Sequence, residues 1–231
     1  MKEKIYTIPV NEAFEQSEGG CPFCLLFKRL EDIELDLILG ASMMEPDIRQ
    51  ITNKKGFCKT HFTKMFNLKN RLSLALMLES HLEELKGELK TGGLFSKNIG
   101  AKSAERISTL EKSCYVCDRV EEKLEKMFAT ALYLYSSESE FVSKFNSQKM
   151  FCLPHYRRLL ETAQRSMDKK KYESLVKDAD KIVTAYLAAL KEDISWFCKK
   201  FDYRYDGEPW GNAKNSVERS IRFLSGPTDI D

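Results

Sequence analysis

Six of the seven cysteines and two of the three histidines in this 231-residue chain fall into one pattern, written twice. The first copy runs Cys21-Pro22-Phe23-Cys24, then 33 residues, then Cys58-Lys59-Thr60-His61. The second runs Cys114-Tyr115-Val116-Cys117, then 34 residues, then Cys152-Leu153-Pro154-His155. The copies are offset by 93 positions at the first pair and 94 at the second, and Gly56-Phe57-Cys58 aligns with Met150-Phe151-Cys152. An internal duplication is the simplest account.

The donor types and spacing suit a metal. Zinc takes four ligands in a tetrahedron, with thiolate sulfur at ~2.3 Å and imidazole nitrogen at ~2.0 Å. A two-residue spacer lets both members of a pair reach one ion from a single turn or helix start, and Pro22 and Pro154 suit the first turn of a helix. A helix N-terminus also stabilises a thiolate. Within one copy, 33 or 34 residues leave room for a helix out and a helix back. The expectation is therefore one site per copy: Cys21, Cys24, Cys58 and His61 in the first, Cys114, Cys117, Cys152 and His155 in the second. Four protein ligands close the coordination shell, whereas catalytic zinc keeps a position open. Two Zn2+ ions per chain then act structurally, each contributing on the order of 10 kcal/mol to folding.

Other chemistries compete for the same residues. Iron–sulfur clusters accept histidine in place of cysteine, and spacing alone does not separate them from zinc. Cys-Pro-Phe-Cys resembles a redox dithiol, but such motifs follow a strand in a βαβ unit, and the CxxH pairs are left unexplained. Buried core cysteines would not repeat at matched spacing. The haem-attachment motif CxxCH is absent, as are HExxH, GxSxG, GxGxxG and Walker loops, so the sequence offers no catalytic residues.

Hydrophobic periodicity is helical throughout, which makes the fold class all-α: a helical bundle of two pseudo-repeats, each cross-braced by a metal. Leu26, Leu30, Ile33 and Leu37 step along one helix face, and Val120, Leu124, Met127 and Ala131 repeat the steps 94 positions on. Leu74, Leu78, Leu82, Leu85 and Leu89 mark another helix. Val183, Leu187, Leu190, Ile194, Phe197 and Phe201 mark a long core-facing one, with Cys198 in the core beside Phe197. Ile5–Val10 is the nearest stretch to an extended strand. Domain boundaries follow the repeat: a metal-binding module over 1–92, a connection over 93–111 rich in glycine and polar residues, a second module over 112–206, and a turn and helix over 207–231. That last helix starts near Asn215, with Glu218 as capping partner.

With 37 basic and 35 acidic residues, the chain carries +2 and lacks the basic excess of a nucleic-acid binder. Filling both sites with zinc removes six thiol protons and adds two dications, which brings the charge to about zero. Lys54, Lys55, Lys59 and Lys64, with Arg157 and Arg158, can still line a phosphate-facing patch, and Lys169-Lys170-Lys171 reads as a solvated loop or helix start. His81 sits on an apolar stripe as a boundary residue making one hydrogen bond. Trp196 and Trp210 read as packing residues, though the loop Glu208-Pro209-Trp210-Gly211-Asn212 can serve recognition. The first ten residues have no apolar core of signal-peptide length, and no stretch approaches a membrane span, so a cytoplasmic location is the expectation. In a reducing compartment, seven cysteines point to metal or redox chemistry.

The opening Lys2-Glu3-Lys4-Ile5-Tyr6-Thr7-Ile8-Pro9-Val10-Asn11-Glu12-Ala13-Phe14, the Cys-Pro-Phe-Cys, Thr52-Asn53-Lys54-Lys55-Gly56-Phe57-Cys58, the second motif pair and Glu208-Pro209-Trp210-Gly211-Asn212 together resemble one family. It is an uncharacterised bacterial domain family of unknown function whose members sometimes carry a transporter substrate-binding label. The resemblance covers the whole chain and implies no activity. The transporter label conflicts with the missing secretion signal. The residues lead to a metal-stabilised helical protein that acts by binding, with a protein as partner. The alternatives are a thiolate protein that releases metal on oxidation and a nucleic-acid binder.

Overall fold

The computed structural model describes residues 4–16, 20–89 and 100–227. Among these residues there are eleven α-helices and no strand. They are α1 (Thr7–Glu15), α2 (Pro22–Leu39), α3 (Pro46–Lys55), α4 (Lys59–Asn67), α5 (Arg71–Glu88), α6 (Ala101–Glu111), α7 (Tyr115–Ser137), α8 (Ser139–Asn146), α9 (Leu153–Ser166), α10 (Lys169–Lys199) and α11 (Ser216–Ser225). The all-α class holds. The expected extended stretch at Ile5–Val10 is instead a 3-10 turn over Lys4–Tyr6 running into α1. Val10, Ala13 and Phe14 recur at helical spacing and are buried together, and this period, carried past residue 10, overrides local strand propensity.

The chain divides into two compact units, and the division does not follow the repeat. One unit comprises Met1–Lys28 and Leu124–Asp231; the other is Arg29–Lys123. The expected connection over 93–111 is helix from Ala101 onward, and 93–99 lie outside the described residues. Arg106 on α6 donates to the carbonyls of Asn53 and Lys54, so this stretch packs as part of the second unit.

In the first unit, α10 packs on α9 and α11, and α1 on α8. Its core is aromatic. Phe14 meets Phe23, Phe141, Phe145 and Phe151, and Phe23 stacks on Phe128 with ring centroids 3.9 Å apart. Fully burying each such ring contributes about 1.5–3 kcal/mol. On α9, His155, Leu159, Thr162 and Ala163 share the inward face. The long α10 turns Leu175, Ala179, Ile182, Val183 and Leu190 inward. Leu187 and Phe201, expected on that face, are exposed, and Cys198, expected in the core, is exposed as well. Leu187 stands at the edge of the stripe, about 60° round the helix from Leu190, Cys198 lies about 100° round from Phe197, and Phe201 falls beyond the end of α10. At α11, Asn215 is the N-cap residue but Arg219 takes its side-chain oxygen, so the expected capping box with Glu218 does not form.

In the second unit, α3 packs against α5 and α6, and α4 against α5. Here α2 departs from its expected face. Ile33 and Leu37 are 50% and 47% exposed, while Glu31 and Glu34 are buried beside Leu35 and Ile38. Both carboxylates are paired, Glu31 with Lys64 and His61, Glu34 with Lys123, which is what makes their burial tolerable. His81 makes the single boundary contact expected of it, 2.8 Å from its Nδ1 to the Asn53 carbonyl.

Candidate metal centre

All four ligand pairs occupy the same local structure. Cys21 and Cys114 immediately precede α2 and α7, and Cys58 and Cys152 are the N-cap residues of α4 and α9. The partner ligand, Cys24, Cys117, His61 or His155, is the third residue of the helix that follows. Each leading cysteine accepts on its carbonyl the first hydrogen bond of its helix, from Leu25, Asp118, Phe62 or Tyr156. Side chains at the cap and the third position both project beyond the helix end, where the dipole favours anionic sulfur.

Two clusters of four form, and their membership corrects the expected pairing. Cys21 and Cys24 meet Cys152 and His155; Cys58 and His61 meet Cys114 and Cys117. Each CxxC is completed by the CxxH of the other copy, and each cluster lies wholly inside one unit. Between the two pairs of one copy lie α2 and α3, of 18 and 10 residues, or α7 and α8, of 23 and 8, so chain spacing alone does not bring a CxxH to its own CxxC.

The first cluster is nearly sealed. His155 Nδ1 lies 3.7 Å from Cys21 Sγ, 3.4 Å from Cys24 Sγ and 3.2 Å from Cys152 Sγ, and Cys24 and Cys152 are 3.5 Å apart. The imidazole packs against one side of the stacked Phe23–Phe128 pair, at centroid distances of 6.1 and 5.9 Å. Gly226, at φ 85° after α11, closes over the cluster: a Cβ there would lie 3.7 Å from Cys152 Sγ and 3.5 Å from Pro154.

The second cluster is polar and open on one side. His61 Nδ1 lies 3.2 Å from both Cys58 and Cys114 Sγ and 3.4 Å from Cys117 Sγ, with Cys58 and Cys117 3.9 Å apart. The other ring nitrogen, Nε2, is 3.1 Å from Glu31, whose second oxygen accepts from Lys64 at 2.7 Å. With Nδ1 turned to the sulfurs, Nε2 carries the proton and donates to the carboxylate, an arrangement that fixes ring orientation in metal-ligating histidines. Two loops are tied together behind the ligands: Tyr115 N donates to the Gly56 carbonyl, and Ser113 Oγ to that of Lys55. Gly56 has φ 62°, and a Cβ there would come within 3.2 Å of Leu110. Among the eight residues, Cys117 alone is exposed.

Protonation reports how strongly these pockets call for a cation. Hydrogen bonding from Cys117, against the cost of burial, holds the Cys114 thiol down at about 3, while the Cys117 thiol is pushed well above its ordinary range by its bond to Cys114. Burial opposes charge on His61, but its contacts with Cys114 and Glu31 raise it to about 10. Burial likewise raises the Glu31 carboxyl, and its bonds from His61 and Lys64 more than reverse this, leaving it below the usual carboxylate range. In the first cluster, burial works against the Cys21 thiolate, yet bonds from Cys152, Cys24 and His155 hold it well below the thiol range. Cys24, bonded to Cys152 and Cys21, and Cys152, bonded to Cys21, are both pushed up. So many sulfurs this close do not all ionise unless a positive ion joins them. Both clusters can hold a metal ion.

The carboxylates and lysine around His61 carry no spacing signature; the only hint is an acid pair, Glu31 and Glu34, interrupting an apolar helix face. Several basic residues expected to line a phosphate-facing patch already have acidic partners. Lys55 pairs with Asp118 at 2.5 Å, Lys64 with Glu31 and Arg157 with Glu161. Arg158 lies 4.9 Å over the Phe128 ring. Among the described residues no helix is long and apolar enough to cross a membrane.

The chain belongs to a family of unknown function, DUF6062, whose model matches residues 1–231. No curated protein and no solved structure matches it.

Proposed function

We propose that this member of a family without an assigned activity is a zinc protein in which two Cys3His sites, one per unit, act as structural clamps on a helical scaffold that works by binding a protein partner. The observation that carries the zinc reading is the spacing of the donor atoms. Sulfur at ~2.3 Å and nitrogen at ~2.0 Å on a tetrahedron stand ~3.8 Å apart sulfur to sulfur and ~3.5 Å sulfur to nitrogen. Across the two clusters the sulfur–sulfur contacts are 3.5 and 3.9 Å and the sulfur–nitrogen contacts 3.2–3.7 Å. All four donors of each cluster lie within 4.8 Å of one another, which suits a single ion; a multi-iron cluster places its irons and sulfides between the ligand sulfurs and spreads them wider. Three thiolates and an imidazole are soft to borderline donors that favour zinc. Four donors leave no open position for substrate, which supports a structural rather than catalytic ion. The interaction half draws support from the first unit, where Phe201 and Tyr203 are 75% and 82% exposed beside Trp210.

Elemental analysis of anaerobically purified, colourless protein is expected to find two zinc ions per chain; iron with sulfide and a brown colour would overturn the zinc reading. Paired substitutions test the crosswise ligand sets. Cys24→Ser with Cys58→Ser removes both ions, whereas Cys24→Ser with Cys152→Ser leaves one. Pairing within each copy predicts the reverse for the first variant, one ion retained. For the binding half, Phe201→Ser with Tyr203→Ser is expected to keep both ions and lose partners captured by cross-linking in cells; unchanged capture would remove that surface from the proposal.

A further inference from the structure

The two clusters share donors but not access to solvent. Cys21 and Cys152 are buried and Cys24 is half-buried, Gly226 lies against Cys152 and Pro154, and His155 packs against the stacked pair of Phe23 and Phe128. In the other cluster, Cys117 is exposed and Cys58 half-buried, their sulfurs 3.9 Å apart. Metal-bound thiolate remains a nucleophile, and whether an oxidant reaches it is decided by exposure.

We infer that Cys117 is a modification site for hydroperoxides, and that its oxidation releases the metal of the Cys58–His61–Cys114–Cys117 centre while the other centre keeps its own. This rests on the metal reading above. Cys117 Sγ attacks the terminal oxygen of the hydroperoxide; the O–O bond breaks, the alkoxide leaves and takes a proton from water, and an S–O bond forms a sulfenic acid. A second thiolate of the same centre, Cys58 at 3.9 Å or Cys114 in the same turn, then attacks that sulfur. The S–O bond breaks, hydroxide leaves and is protonated to water, and an S–S bond forms. Two thiolates give up two electrons and the peroxide gains them. The metal, left with one thiolate and His61, dissociates.

The test uses the full chain loaded with two zinc ions and treated with hydrogen peroxide in the presence of a zinc-sensing dye. Release is expected in two phases, one ion leaving at least about tenfold faster than the second, because only one centre presents an exposed thiolate. Peptide mapping of alkylated protein, stopped after the first ion is released, is expected to place the new disulfide on Cys117. The variant Cys198→Ser, which removes the exposed cysteine outside both clusters, is expected to show the same two phases. Equal release rates, first oxidation within the Cys21–Cys24–Cys152 set, or phases that depend on Cys198 would each overturn the inference. Protein that binds no metal before peroxide is added fails the metal reading itself, which keeps the two failures distinct.

Discussion

In one centre a histidine lies against two phenylalanine rings under a glycine that closes the cap; in the other its counterpart is held by a carboxylate and a lysine beside an exposed thiol. The donors are identical and so is the placement of each at a helix start. The surroundings differ because each CxxC and each CxxH is completed by the other copy, so the two sites grow from different helices. The first cluster has three of its four ligands buried, and low local polarity strengthens electrostatic attraction there. The second is tuned by charge: Glu31 sets the tautomer and basicity of His61 and is itself kept ionised by Lys64. The same ligand set thus stands in two different surroundings, one largely apolar and one charged.

The largest effect that tests this contrast comes from removing one ligand on each side. Cys152→Ser and Cys117→Ser are both expected to lower the metal content to one ion per chain. Each forfeits stability on the order of 10 kcal/mol from the lost site. Cys152 is fully buried, so its serine hydroxyl, left without a metal, adds about 1–3 kcal/mol of destabilisation that the exposed position avoids. Denaturant unfolding checks the order; a greater loss at Cys117 would invert the contrast.

Acid is expected to weaken both centres. Cys117 and His61 in one, and Cys24 and Cys152 in the other, hold protons at neutral pH without metal and must surrender them to bind it. The metal-free state carries more protons, so affinity falls as pH falls, by about tenfold per pH unit for each proton displaced, at least about a hundredfold between pH 7.5 and 6.5. Cys114, already ionised above about 3, contributes nothing to this slope. Competition with a zinc chelator across that range measures it, and an affinity that did not fall with pH at either centre would overturn the expectation.

Glu31→Gln separates the two centres. It is expected to lower zinc affinity about 10–100-fold at the His61 centre and leave the His155 centre unchanged, since among the described residues no carboxylate is hydrogen-bonded to His155. Equal weakening of both would mark Glu31 as a general stabiliser of the fold. The smallest effects belong to the glycines. Gly226→Ala and Gly56→Ala each force alanine into a positive-φ, extended-ψ conformation that glycine alone adopts freely, at about 1–3 kcal/mol in thermal unfolding. Gly56→Ala is expected to cost more, because its Cβ would meet Leu110 at 3.2 Å, whereas Gly226 has 3.5 Å to its nearest neighbour.

The helical class and the eight clustered residues were legible in the chain because both are local. Val120, Leu124, Met127 and Ala131 are buried as their spacing implied, and the CxxC and CxxH pairs sit at helix starts, where Pro22 and Pro154 had pointed. Ile33, Leu37 and Cys198 were misplaced for one shared reason: a periodic stripe identifies a face but not which part of it finds a neighbour. Glu31 and Glu34 were missed because a buried carboxylate is recognisable only through the cations opposite it, and Lys64 and Lys123 come from other helices.

What the sequence determined by itself was the donor set and its grouping in pairs, since two ligands three residues apart at a helix start are held by backbone geometry alone. Tertiary structure decided which pairs meet, because the two pairs of one copy are separated by two helices whose packing is not fixed by spacing along the chain. It also decided which centre is sealed and which is open, because burial is set by the elements that pack around a site and not by the spacing of its ligands.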